Sequence, residues 1–212
     1  SDSINGMIKY SDCKIVGSSE SGHIAIDPSK QHCTYSGALG SYHGTGPLML
    51  KHDKISGEVD MGTVWPDVTG HTNNERKYRF GWDQPIIFSL HHKNRLLTAA
   101  NVIFESYNEG KSWTEISPDL TRNDPDYIEP SSSKATSNKP RNKWESAPKN
   151  KIAPFERCYI SALGESPIDK NILWAGTDDG TIQLTKNNTN KWINVTPKDL
   201  EPWTPVWNIE PS

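Results

Sequence analysis

Trp113-Thr-Glu-Ile-Ser-Pro-Asp-Leu120 returns near the end of the chain as Trp192-Ile-Asn-Val-Thr-Pro-Lys-Asp-Leu200, 79 residues apart counted between the tryptophans. Upstream of each, Ser89-Leu-His-His-Lys-Asn-Arg-Leu-Leu97 matches Ser166-Pro-Ile-Asp-Lys-Asn-Ile-Leu-Trp174 at an interval of 77 residues. Two matched blocks in the same order define an internal repeat. The unit reads as an inner strand, a polar turn, a second strand, a tight loop, a third strand, a hairpin and a fourth strand opened by Trp. A degenerate third copy precedes them. Ile24-Ala-Ile-Asp-Pro28 supplies its inner strand and turn, and Gly57-Glu-Val-Asp-Met-Gly-Thr-Val-Trp65-Pro66 its last hairpin arm.

The segments inside the unit are strands by pattern. Pro85–Leu90, Arg95–Ala100, Val102–Ser106 and Ile172–Gly176 are short runs rich in β-branched and aromatic residues, bounded by Gly, Asn, Asp and Pro. No long stretch keeps a 3.6-residue apolar period, so little helix is expected. Four strands in about 40–50 residues is the signature of a β-propeller blade. The chain is therefore expected to be all-β, with antiparallel four-stranded blades near 22–68, 80–121 and 157–200. The polar, Pro/Ser/Lys/Asn-rich stretch 122–156 reads as a connector between the last two.

Composition agrees. Only 33% of the 212 residues are apolar, below the usual share of about 45–50% even with the 15 glycines added. Eight Trp, seven Tyr and four Phe nonetheless argue for an ordered chain. Blades hide their faces against one another, so no thick central core is needed. Three blades, with an opening strand at Met7–Val16 and a closing strand at Val206–Glu210, do not close a ring of about 4–8 blades. An open arc leaves edges that pair with other strands. Completion by further blades or by a second chain is the expected consequence. The start, SDSINGMIKY, lacks an initiating Met, which points to an incomplete piece, and shows neither the basic nor the apolar region of a signal peptide.

The net charge of −3 argues against nucleic acid as a partner, and no apolar run is long enough to span a membrane. Three cysteines, Cys13, Cys33 and Cys158, show no C-x-x-C spacing. They read as three small buried hydrophobes, with one disulfide plus a free thiol as the alternative. Neither a cofactor nor a metal site follows from their spacing.

Ser106-Tyr-Asn108-Glu-Gly110-Lys-Ser112-Trp113 resembles the Asp-box, or bacterial neuraminidase repeat, S-x-D-x-G-x-[ST]-W, with Asn in place of Asp. Thr185-Lys-Asn187-Asn-Thr189-Asn-Lys191-Trp192 is a weaker copy with Thr in place of Gly. The chemistry is local: a short polar side chain shapes the turn, Gly takes a positive φ, and Trp packs beneath the hairpin. Ser106, Asn108, Gly110, Trp113, Thr185, Asn187 and Trp192 are thus structural. With Lys77–Ile86, Ile116–Pro125, Ala175–Thr181 and Asn194–Pro197, the chain is similar to large bacterial proteins with sortilin-like propellers, often labelled glycosyl hydrolases. The resemblance implies a secreted, periplasmic or envelope-associated propeller. Sortilin-type relatives bind peptides and proteins, whereas sialidases and xyloglucanases with such boxes hydrolyse glycans. The sialidase arginine triad and its Tyr–Glu pair find no match here.

Propeller ligands meet the end where blade-to-blade connectors and the loops between second and third strands gather. That end should carry Arg76, Tyr78, Arg79, Trp82, Asp83, Arg157, Asp178 and Asp179. Aromatic rings offer flat apolar contact and Arg a two-pronged grip on a carboxylate. The same residues also suit a scaffold role, Arg79 pairing with Asp83 and Trp82 filling a blade interface. Asp178-Asp179 suits an acid/base pair of a glycosidase, or a tight turn. His91-His92 reads as a solvated turn. No G-x-S-x-G elbow or phosphate loop is present. The expected function is a non-catalytic binding or scaffold module for a protein, peptide or glycan at the cell envelope. A glycoside hydrolase is the alternative.

Overall fold

The computed structural model describes residues 6–10, 13, 16, 22–38, 48–64, 78–81, 83–124, 158–186 and 191–212. Its twelve strands fall into three sheets. The first holds β1 (Ile24–Ile26), β2 (Cys33–Ala38), β3 (Leu48–Asp53) and β4 (Val59–Met61). The second holds β5 (Ile86–Phe88), β6 (Leu96–Ala99), β7 (Ile103–Ser106) and β8 (Thr114–Glu115). The third holds β9 (Ile160–Glu165), β10 (Leu173–Thr177), β11 (Ile182–Thr185) and β12 (Trp192–Asn194). Each sheet is an antiparallel meander in sequence order, and no α-helix occurs among the described residues. Three four-stranded antiparallel sheets of this kind are propeller blades.

The repeat is visible bond by bond. The turn after each inner strand is held by one side chain accepting from two backbone N–H groups. Asp27 accepts from Ser29 and Lys30, Ser89 from His91 and His92, and Ser166 from Ile168 and Asp169. At the other end, a hydroxyl just past each fourth strand accepts from the third strand: Met49 N to Thr63, Ile103 N to Ser117 and Ile182 N to Thr196. The degenerate first copy therefore folds as the other two do.

Side chains alternate across each strand, so successive residues face different neighbours. In β6, Leu96 packs with Cys33, Tyr35, Met49 and Ile86 between the first and second sheets. Its neighbour Leu97 packs with Ile103, Ile160, Leu163 and Leu173 between the second and third. Both are fully buried because both faces of the middle sheet are covered. Each such leucine contributes about 1.5–3 kcal/mol of burial. A thin set of aliphatics thus suffices.

A polar lock joins the second and third sheets. The buried Arg95 donates from Nε to Glu105 at 2.8 Å and from Nη1 to Glu165 at 3.2 Å. Glu165 also accepts from Ser89 Oγ and from the Leu90 N–H. His91 adds a hydrogen bond of 2.7 Å from its Nε2 to the carbonyl oxygen of Ser166.

Neither flanking strand is seen among the described residues. The described residues of Met7–Val16 contain no strand, and Val206–Glu210 is extended without ladder pairing. The latter nevertheless lies where an inner strand belongs. Val206 N–H donates to Thr177 O at 3.0 Å, as Ile160 N–H of β9 donates to Ala100 O at 2.7 Å. Gly176 and Gly164 leave room for it: a Cβ at Gly176 would collide with Val206, and one at Gly164 would lie 2.8 Å from Pro211. None of the three cysteines is in a disulfide. Cys33 and Cys158 are buried as expected, but Cys13 is exposed. The stretch 125–157, most of the expected connector, lies outside the described residues.

Candidate functional site

The loops 100–102 and 178–181 meet the segments 78–81, 119–124 and 200–206 at one end of the second and third sheets. Two polar clusters form there. In the first, Arg79 Nη2 reaches Asp119 Oδ2 at 2.6 Å and Thr121 Oγ1 at 3.1 Å, and its Nε donates to Cys158 O. Asn101 closes the ring, accepting from Arg79 N–H and donating to Asp119 Oδ2 at 2.9 Å. Burial pushes the Asp119 carboxyl up, but hydrogen bonds from Thr121, Arg79 and Asn101 outweigh it and hold the group below its ordinary value.

In the second cluster, both aspartates of the Asp178-Asp179 turn point into the scaffold. Asp178 Oδ1 accepts from the Tyr159 N–H at 2.8 Å. Asp179 is wholly buried; its Oδ1 accepts from Thr177 Oγ1 at 2.5 Å and its Oδ2 from the Arg122 N–H at 2.8 Å. The Asp179 carbonyl takes Arg122 Nε and the Trp203 N–H. This is the tight-turn reading of the motif. Cys158, beside these carboxylates, has its thiol pushed up to about 12, chiefly by burial.

The other sequence candidates are more dispersed. Tyr78 stacks edge-on against Phe104 at 4.8 Å and donates from its hydroxyl to Glu115 at 2.9 Å. Asp83 is half-buried and near His23, whose pKa is lowered by burial with Asp83 opposing. The expected Arg79–Asp83 pair is replaced by Arg79–Asp119. Arg76, Trp82 and Arg157 lie outside the described residues. Asp119, Thr121 and Arg122 were not singled out from sequence. The Asp119-Leu-Thr121 spacing, in which Asp119 Oδ1 accepts from the Thr121 N–H and hydroxyl, is the Asx-turn signal that marks them.

In the first hairpin the polar side chains bond within the turn. Ser106 Oγ accepts from Gly110 N–H and donates to Asn108 Oδ1, which also accepts from Ser112 N–H. Gly110 has φ +84°. Trp113 and Trp192 pack at the first and second inter-sheet cores respectively, and Thr185 is buried opposite Trp192 in the ladder. Asn187 lies outside the described residues.

No protein-family model matches this chain, and no curated protein matches it in sequence. Among solved structures, it is similar to the GH74 xyloglucanase from Xanthomonas campestris, at 14% identity and TM-score 0.41. That match covers 78% of this chain and 20% of the other, so the chain spans about a fifth of that enzyme. The computationally designed Ika4 protein matches at 16% identity and TM-score 0.41, over 92% of this chain and 85% of that one. The Niastella koreensis GH74 enzyme matches at 11% identity and TM-score 0.31, over 82% and 38%. The chain's own three four-stranded antiparallel sheets make it a set of propeller blades.

Proposed function

We propose that the chain is a non-catalytic recognition or scaffold module of the cell envelope, binding a protein, peptide or glycan at the loop end of its second and third blades. One observation carries this reading: Asp119, Asp178 and Asp179 each accept hydrogen bonds from the scaffold. A glycosidase needs two carboxylates facing each other across about 5–10 Å with freedom to exchange protons. Carboxylates held by Arg79, by backbone N–H groups and by a buried threonine shape a surface instead. Arg76, Trp82 and Arg157, whose residue types suit a sugar or a peptide terminus, are proposed to contact the ligand.

The module is also proposed to continue into a further blade on the open side of the first sheet. Ile24 and Ile26 of β1 occupy the positions through which Ile86 and Phe88 of β5 meet the first sheet, and they are 62% and 58% exposed. Their apolar, strand-borne character fits the inner face of another sheet.

Glycan and peptide arrays probed with the purified chain, with its mass in solution recorded, test the reading. A hit confirmed by calorimetry and weakened by Arg76→Ala and Trp82→Ala supports it. Release of reducing sugar from any polysaccharide in the panel overturns it.

A further inference from the structure

We propose that His32, Cys33 and Asp53 form a site for a divalent metal of the zinc class at the turn end of the first sheet. Sequence spacing does not reveal it, because Asp53 lies twenty residues from Cys33. The strand register does: Cys33 and Asp53 are direct partners across β2 and β3, and so their side chains stand on the same face. His32 precedes Cys33 at the turn, and its Nε2 lies 3.8 Å from Asp53 Oδ2. One donor atom from each of the three lies within 4.8 Å of the others.

The donor set is thiolate, imidazole and carboxylate, which suits zinc and its analogue cobalt better than calcium or magnesium. Bond lengths of about 2.0–2.3 Å put donors in a tetrahedral site roughly 3.3–3.8 Å apart, so the three need to close by about 1 Å. His32 and Asp53 have the freedom to do so, with side chains 37% and 25% exposed at a turn and a hairpin end. Asp53 is oriented beforehand. Its Oδ1 accepts from the Ile55 and Ser56 N–H groups, which leaves Oδ2 turned to His32. The neighbouring cations are occupied, since Lys30 and Lys51 both pair with Glu109 of the second sheet's hairpin. Three protein donors leave a fourth position on the solvent side for water. On binding, the Cys33 proton passes to solvent and the sulfur takes the metal in its place.

Cobalt(II) titration into the full chain tests this directly. A near-ultraviolet sulfur-to-cobalt charge-transfer band that zinc bleaches is the expected result. Cys33→Ser abolishes that band, Cys13→Ser leaves it, and His32→Gln and Asp53→Asn each weaken binding by about tenfold or more. Circular dichroism confirms that each variant is folded. His32→Gln, a change in a half-exposed turn, keeps the test decisive if Cys33→Ser does not fold. Absence of the band, its survival in Cys33→Ser, or unchanged affinity in both His32→Gln and Asp53→Asn overturns the proposal.

Discussion

The indole Nε1 of Trp113 donates across 3.1 Å to the carbonyl oxygen of Gly62, so a side chain of the second blade completes a hydrogen bond for the backbone leaving the first. Trp192 occupies the matching place one blade on, but its Nε1 is buried with no partner. The two indoles share shape and differ in polarity. Replacing either by Ala removes half-buried packing and is expected to destabilise by about 3 kcal/mol. Replacement by Phe separates them. Trp113→Phe loses a made hydrogen bond and leaves Gly62 O unpaired, a further ~1 kcal/mol. Trp192→Phe removes an unsatisfied donor and loses only packing. Urea denaturation of the four variants checks the order, and equal losses for the two Phe variants would contradict it.

Gly110 is held by two independent constraints. Its φ of +84° disfavours any L side chain, and a Cβ would sit 2.9 Å from Gly62 Cα and 3.1 Å from Gly62 O. Neither neighbour is a flexible side-chain end that can swing away. Gly110→Ala is expected to cost about 2–3 kcal/mol, whereas Gly57→Ala, at a positive φ with open space around it, costs closer to 1 kcal/mol. Thermal unfolding of the pair measures the difference. Equal losses would mean that the contact with Gly62 is slack.

Arg95 and Glu165 are both nearly sealed from water, with side chains 2% exposed. Removing Arg95 leaves the buried Glu165 carboxylate with only neutral donors, Ser89 Oγ and the Leu90 N–H, and removing Glu165 leaves the buried guanidinium with Glu105 alone of its two carboxylates. Arg95→Met or Glu165→Leu alone is expected to destabilise by about 3–5 kcal/mol, and the double variant by less than the sum of the two. A double-mutant cycle in urea reads the coupling. Strict additivity would show that the pair does not hold the blades together.

Glu109 receives both Lys30 and Lys51, and the hydrogen bonds from Lys30 and then Lys51 lower its carboxyl to a pKa of about 2. A depressed folded-state pKa means stability that is fully present above the ordinary carboxylate value near 4.3 and is lost as pH falls towards 2. Stability is therefore expected to decline between about pH 5 and pH 2, and Glu109→Gln to flatten that decline. Denaturant midpoints across this range report it. An unchanged slope in Glu109→Gln would remove Glu109 from the cause.

The blade repeat was legible because its markers are local. Ser89 and Ser166 announce their turns, Ser117 and Thr196 their strand ends, and Gly110 and Trp113 their hairpin, each through chemistry within a few residues. Even Thr63 of the degenerate copy repeats the bond its counterparts make. What sequence did not yield depends on register or on the third dimension. Cys33 meets Asp53 only after β2 and β3 align. Arg79 takes Asp119, forty residues away, rather than the nearby Asp83, because Asn101 and Thr121 bring that carboxylate to it. The Asp178-Asp179 pair shows the same limit, since a turn and an acid/base pair are spelled alike until the hydrogen-bond partners are known. The expected closing strand failed only in its pairing: Val206 takes an inner strand's hydrogen bond without entering a ladder.

That last segment gives the arc a direction. The far surface of the third blade is already sealed by peptide from its own chain, threaded over the bare backbone of Gly164 and Gly176. The first blade offers isoleucines to solvent instead. Under the continuation proposed above, a further sheet joins at the β1 side. At the other side, a sheet docking on the third blade has to displace the peptide seated there or build on it.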